Sequence, residues 1–282
     1  MTLTVAQISD AHLGPGTKVF HANMAAIAPL LRDMPPAALV ASGDLSLDGA
    51  GDGADLPFAA ASLRDLAGAA PLLAIPGNHD VGSDPRSMPT QPVNPARLAR
   101  WQASLGPDRF LLDLDGAQGE AWRLIGLNTE IMGTGMAEEA TQAAWLAEVA
   151  LSGLGARRIA AFLHKPAFVT APDDPFDYWS VPPEGRGALA PLLDHPALRL
   201  VASGHLHLHH RMRRGQVDFV WAPPASFVCE PEIQPGLPGQ RVGGFLRHVL
   251  HADHVATELV TPPGLRAPFL EEVRAETYPR RG

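Results

Sequence analysis

The chain repeatedly runs a short apolar stretch into an oxygen or imidazole donor. Leu3–Ile8 leads to Asp10-Ala11-His12, and Ala38–Ala41 leads to Gly43-Asp44. Leu72–Ile75 leads to Gly77-Asn78-His79-Asp80, Ile159–Leu163 to His164, and Leu198–Ala202 to Gly204-His205-Leu206-His207. Short apolar runs bounded by turn residues read as buried strands. Between the first three lie segments with helical spacing. His21–Arg32 carries Met24, Ile27, Leu30 and Leu31 on one face and is closed by Pro35-Pro36, and Leu56–Leu66 follows a Gly- and Asp-rich loop. Strand, donor loop and helix in repetition predict an α/β fold with parallel strands. Such folds keep their sites at the C-terminal ends of the strands.

The remaining segments fit that frame. Phe110–Leu114 and Trp122–Leu127 read as a strand pair, and Glu138–Leu151 as an amphipathic helix with Trp145, Leu146 and Val149 inward. Ala96–Leu105 and Gly185–Leu193 read as short helices, and Val217–Trp221, Gly244–Leu250 and His254–Val260 as strands. No repeat or linker divides the chain. The expected organisation is one domain over 1–262, with 263–282 as a tail packing on its surface.

An apolar fraction of 46% over 282 residues is ample for one large core. The net charge of −8 argues against general affinity for nucleic acid polymers or anionic membranes. A single cysteine, Cys229, excludes an intramolecular disulfide. No apolar run reaches the ~18 residues of a membrane helix. The N-terminus lacks the basic start of a signal peptide, and Asp10 follows too soon to leave room for one. The expectation is a cytoplasmic protein without a membrane partner. A homodimer is compatible with the chain, but no motif encodes an oligomeric state.

Asp, Asn and His together suit divalent transition metals. Two such ions ~3.5–4 Å apart can hold one hydroxide between them and clamp phosphoryl oxygens, which requires a bridging ligand. Asp44, alone in its segment, is the choice for the bridge because a carboxylate offers two oxygens and one negative charge. Asp10 and His12 alternate along what reads as an extended stretch, so both can face one ion. Asn78 offers a neutral amide oxygen, and His164, His205 and His207 complete the set. His79, next to the Asn78 ligand, is free for proton transfer. It is assigned as the general acid that protonates the leaving alkoxide, with Asp80 to orient its imidazole. Two divalent ions against two aspartates leave +2, and a bridging hydroxide lowers this to +1. A phosphodiester monoanion would neutralise that charge.

The order Asp-x-His, Gly-Asp, Gly-Asn-His-Asp, His, Gly-His-x-His, from Asp10 to His207, resembles the calcineurin-like metallophosphoesterase superfamily. The resemblance implies an α/β four-layer αββα sandwich of two mixed β-sheets flanked by helices. It implies Asp10, His12, Asp44 and His207 on one ion and Asp44, Asn78, His164 and His205 on the other, with Fe, Mn or Zn as metals. The short spacing is most similar to bacterial class III cyclic-nucleotide phosphodiesterases and related glycerophosphodiesterases. One departure is His164-Lys165-Pro166, where those relatives often carry two histidines. Lys165 could place a positive charge near the phosphate.

Each segment alone has a plainer reading, as a turn, a cap or a core histidine; five in order do not. His21 is expected at a helix start, His209 and His210 in an exposed loop, and Arg211, Arg213 and Arg214 on a hairpin edge. The expected activity is hydrolysis of a small phosphodiester, cyclic nucleotides such as cAMP first, by attack of a metal-bridging hydroxide. The enzyme alternatives are a phosphomonoesterase, a glycerophosphodiesterase or a nucleotide pyrophosphatase on the same site. The alternative from another class is a metal-poor binding scaffold, which the complete donor set and His79 argue against. The rim that selects substrate is expected in Val81–Pro95, Pro172–Pro183 and Val228–Val242.

Overall fold

A computed structural model describes residues 3–51 and 53–278. In chain order the strands are β1 (Thr4–Ile8), β2 (Ala38–Ser42), β3 (Leu72–Ile75), β4 (Phe110–Asp115), β5 (Ala121–Gly126) and β6 (Arg158–Phe162). They continue as β7 (Leu198–Ser203), β8 (His210–Arg214), β9 (Val217–Trp221), β10 (Phe245–Leu250) and β11 (Val255–Val260). The helices are α1 (His21–Asp33), α2 (Asp55–Ala67), α3 (Asn78–Val81), α4 (Pro95–Leu105) and α5 (Ala137–Trp145). They continue as α6 (Pro183–Arg186), α7 (Ala190–Leu193) and α8 (Leu270–Thr277).

The strands form two mixed sheets, ordered β11-β10-β1-β2-β3 and β4-β5-β6-β7-β9-β8. β1, β2 and β3 run parallel, as do β5, β6, β7 and β9. The period of two along each strand divides the apolar residues between three layers of core. Val5, Val40, Leu124, Phe162, Leu200 and Leu246 meet between the sheets. Ile8, Leu39 and Ala41 face outward from the first sheet onto Ile27, Leu31, Leu63 and Leu98 of α1, α2 and α4. Ile125, Ile159, Ala161 and Val201 face outward from the second onto Leu146, Leu189 and Leu192. The result is helix, sheet, sheet, helix: the four-layer sandwich expected.

Most elements stand within a residue or two of their expected bounds, and the differences have local causes. The helix expected to be continuous over Glu138–Leu151 passes into a π turn at Leu146–Ala150. The extra residue in that turn shifts the phase. Val149, expected inward, is therefore exposed, and Trp145 is only half-buried. Gly185–Leu193 breaks into α6, a 3-10 turn at Gly187–Leu189 and α7, because Gly187 and Pro191 interrupt it. His210 begins a strand instead of lying in a loop. β8 pairs antiparallel with β9, and Arg211 bonds Asp218 at 2.9 Å. The segment 263–282, expected on the surface, contributes Val273 of α8 to the core and brings Tyr278 to the donor loops; residues 279–282 lie outside the described residues. None of the described helices is long and apolar enough to cross a membrane.

Candidate metal centre

The loops after β1, β2, β3, β6 and β7 converge at one edge of the sandwich, and all seven expected ligands are buried there. The backbone after β1 runs alongside that after β2. Asp10 N donates to Gly43 O at 3.0 Å, and His12 N to Asp44 O at 3.0 Å. Asp10 and His12 are not extended as expected: their φ values are +53° and +46°. Asp44, His205 and His207 also have positive φ, at +51°, +71° and +52°. Among the described residues these five are all the non-glycine residues in that region. Each such conformation costs about 1–3 kcal/mol and persists only where the surroundings over-determine it.

Glycines preceding donors make the approach close enough. Gly43, at φ +92°, takes a backbone conformation that L side chains rarely adopt, and a Cβ there would strike the His164 ring. A Cβ on Gly77 would strike Asp44, and one on Gly204 would strike Ser9. No larger residue fits without moving a donor.

The donors fall into two groups that share Asp44. Asp10, His12, Asp44 and His207 have ligand atoms within 4.8 Å of one another, and so do Asp44, His164 and His205. Asn78 Oδ1 lies 3.2 Å from His164 Nε2, on the second group's side. Hydrogen bonds fix the ring faces. Nδ1 of His164 donates to Ser42 O at 2.9 Å, and Nδ1 of His207 to Phe227 O at 2.6 Å. Both therefore present Nε2, 3.3 Å from Asp44 Oδ2 and 3.4 Å from Asp10 Oδ1 respectively. His205 is reversed: its Nε2 bonds Tyr178 O at 3.1 Å, leaving Nδ1 free. His12 presents Nε2, 3.2 Å from His207 Nε2, and its Nδ1 lies 2.6 Å from Tyr278 Oη. A ring held at one nitrogen and open at the other is the arrangement of a histidine ligand.

The electrostatics agree. Burial, with neighbouring charge added, pushes His12 and His205 well down, so both rings are neutral. Burial opposes charge on His164 and His207 too, yet Asp44 draws His164 up to about 10 and Asp10 draws His207 up. Burial likewise opposes ionisation of Asp44, but His164 and then His79 hold its carboxyl well below the usual range. The two aspartates thus concentrate positive charge where, among the described residues, no lysine or arginine stands among the donors. Two oxyanions, an amide oxygen and four oriented imidazoles fit a pair of divalent transition ions.

His79 and Asp80 behave differently from each other. The His79 amide donates to Asp44 Oδ1 at 2.7 Å, and its ring centroid lies 4.9 Å from those of His12 and Tyr278. The expected contact between Asp80 and the His79 imidazole is replaced by a brace. Among the described residues the Asp80 carboxylate accepts from Leu45 N, Ser46 N, Ser46 Oγ and Gly77 N, at 2.6–3.2 Å. The reason is α3: neighbours on a helical turn do not face each other, and a side chain in the first turn reaches back to the helix start. Burial, then the charge of Asp44, raises the Asp80 carboxyl to about 6.

Lys165 is buried and turned to its own partners. Its Nζ lies 2.7 Å from Ser83 Oγ and 3.5 Å from Glu130 Oε2, over the Tyr178 ring at 5.5 Å. His21 stands at the start of α1 on Gly14 O, at 2.9 Å. Beside His79 opens a cavity of about 660 Å³, lined by Asp48, Thr90, Gln91, Arg97, Thr277 and Tyr278 among others. Sequence reasoning missed both tyrosines. They are the only two in the chain, and neither stands in a motif.

Two mixed sheets with donors for two ions at one edge define a dinuclear metallohydrolase. The family model described as calcineurin-like phosphoesterase matches residues 3–209, and the chain belongs to that family. It is a metal-dependent phosphoric ester hydrolase. Solved structures share the fold at low identity. A dimetal phosphatase from Danio rerio has a TM-score of 0.60 at 17% identity, over 92% of this chain and 96% of that one. A purple acid phosphatase, PPD1, from yellow lupin seeds has a TM-score of 0.57 at 14%, over 100% of this chain and 57% of that one. GAP50, the anchor in the inner membrane complex of Plasmodium, has a TM-score of 0.56 at 13%, over 94% and 86%. A search of the curated proteins finds no significant match.

Proposed function

We propose that the protein hydrolyses a small phosphodiester, with cyclic nucleotides the first candidates and glycerophosphodiesters the second. The observation that carries this reading is the pairing of Lys165 with Glu130. The one lysine near the donors has its charge matched by a buried carboxylate 3.5 Å away, so it adds nothing for a second phosphate charge. Arg97, at the cavity wall, directs its guanidinium to Ala50 O and Pro92 O. Among the described residues the positive charge left for substrate is then that of the ion pair less its ligands, which a diester monoanion matches better than a monoester dianion. A cavity of about 660 Å³ suits a nucleotide-sized molecule.

In this reading Asp44 bridges, Asp10, His12 and His207 hold one ion, and Asn78, His164 and His205 hold the other. When bound, the ions supply a nucleophile drawn from water and offset the phosphoryl charge. His79 stands at the cavity side of the first group and delivers a proton from its ring to the departing alkoxide. Asp80 holds the 45–46 loop against Gly77, and so fixes the backbone from which Asp44 and His79 project.

The test is hydrolysis of a substrate panel by metal-stripped protein with Mn²⁺ restored. The panel holds bis(p-nitrophenyl) phosphate, p-nitrophenyl phosphate, 3′,5′- and 2′,3′-cyclic AMP and glycerophosphocholine. Metal-dependent turnover with diesters ahead of the monoester is expected. Faster monoester turnover would replace the proposal with a phosphomonoesterase, and two bound ions without turnover of any member would point to a pyrophosphatase or another narrow specificity.

A further inference from the structure

Three of the four ligand histidines are held at the far ring nitrogen by a backbone carbonyl: Ser42 O, Phe227 O and Tyr178 O. A carbonyl can only accept, so each fixes its tautomer without help. His12 is the exception. Its Nδ1 meets the phenol of Tyr278, 266 residues away in sequence, at 2.6 Å.

A hydroxyl can donate as well as accept, so by itself it would leave the His12 tautomer undetermined. Leu47 removes the ambiguity. Tyr278 Oη lies 3.1 Å from Leu47 O, which can only accept, so the phenol proton goes there. The phenol oxygen then has lone pairs for the Nδ1–H of His12, and His12 presents an unprotonated Nε2 to the first donor group. The Tyr278 ring is also seated: its centroid lies 4.9 Å from that of His79 and 6.3 Å from that of Phe227.

We propose that Tyr278 is a positioning residue for the first ion: through the chain Leu47 O, Tyr278 Oη, His12 Nδ1 it sets the tautomer and orientation of a ligand. The segment following the last strand is in this way part of the metal centre. This inference rests on the reading of the cluster as a two-ion site, and it predicts an effect on one ion of the pair. Groups that orient histidine ligands are worth about 10- to 100-fold in metal affinity or activity.

The experiment titrates metal-free full-length protein with Mn²⁺ by calorimetry, for the parent, Y278F and Y278A. Y278F keeps the ring and loses the hydroxyl. It is expected to weaken one of two binding steps by about 10- to 100-fold, to leave the other unchanged, and to melt like the parent without metal. Raising Mn²⁺ until both sites fill should restore most of the turnover lost by Y278F at limiting metal. Y278A should show at least the same loss at the same step. A parent-like isotherm for Y278F overturns the inference, whatever Y278A does, because the ring alone would then account for any effect. Equal weakening of both steps also overturns it. A parent that takes up no ion would remove the two-ion reading itself, whereas two ions in the parent and no change in Y278F would refute the role of Tyr278 alone.

Discussion

The floor of the cleft and its wall are assembled differently. All seven donors stand within four residues of the end of β1, β2, β3, β6 or β7. They come from parallel strands whose ends share one edge, and five of them sit in a strained backbone conformation. Much of the wall is drawn from elsewhere. Thr90 and Gln91 come from the irregular segment before α4, Arg97 from α4 itself, and Tyr278 from beyond α8. A donor at a strand end inherits its position from sheet pairing. A wall residue holds its place through long-range contacts made one at a time, so the floor should tolerate less change than the wall.

The strongest test of that contrast is Asp44→Ala. Both donor groups share this carboxylate, so metal content should fall at both sites and turnover should drop to background. Metal analysis showing two ions retained would break the bridging assignment. His79→Ala comes next. It should retain both ions and lose about 10²- to 10⁴-fold in turnover, more on diesters with poor leaving groups than on p-nitrophenyl esters. An equal loss on both kinds of substrate would remove the general-acid role.

Lys165→Met tests the buried surroundings of the donors by stability instead of chemistry. It leaves Glu130 buried without its partner, a change that typically costs about 3–5 kcal/mol. Denaturant unfolding should show that loss, while kcat on a diester at full metal loading changes little. A large fall in kcat with unaltered stability would return Lys165 to the substrate.

The last test lies between the sheets, outside the donor groups themselves. His248 is fully buried and bridges Gln7 Oε1 at 3.0 Å and Thr257 Oγ1 at 2.9 Å. Burial lowers its pKa from 6.5 to about 3. Between those values the unfolded chain takes up a proton that the folded chain refuses, so stability is whole above pH 6.5 and is lost as pH falls toward 3. The slope attributable to this group is about 1.4 kcal/mol per pH unit. His248→Gln should flatten the pH dependence of unfolding across that window; an unchanged slope would place the acid sensitivity in other groups.

Legibility in the sequence follows the same division. That Asp10, His12, Asp44, Asn78, His164, His205 and His207 meet at one edge was readable because each follows an apolar run, and a parallel sheet gathers strand ends without further information. The backbone conformation of Asp10 and His12 was not readable. Alternation along a strand gave no sign that the chain turns through positive φ on either side of buried Ala11. Nor was the orientation of Asp80, since adjacency in sequence says nothing about facing once Asn78–Val81 winds into a helical turn. The outward Val149 likewise depended on a π turn that apolar periodicity does not encode.

By itself, then, the sequence determined the strand frame, the donor types and their order, because period, turn chemistry and ligand preference are local properties. The tertiary structure alone decided which nitrogen each histidine offers, which carboxylate braces instead of orienting a proton donor, and that Lys165 is matched by Glu130. It alone brought Tyr278 to His12 across 266 residues. Those outcomes rest on hydrogen bonds between segments that meet only after both sheets have packed, and no local pattern carries a contact of that range.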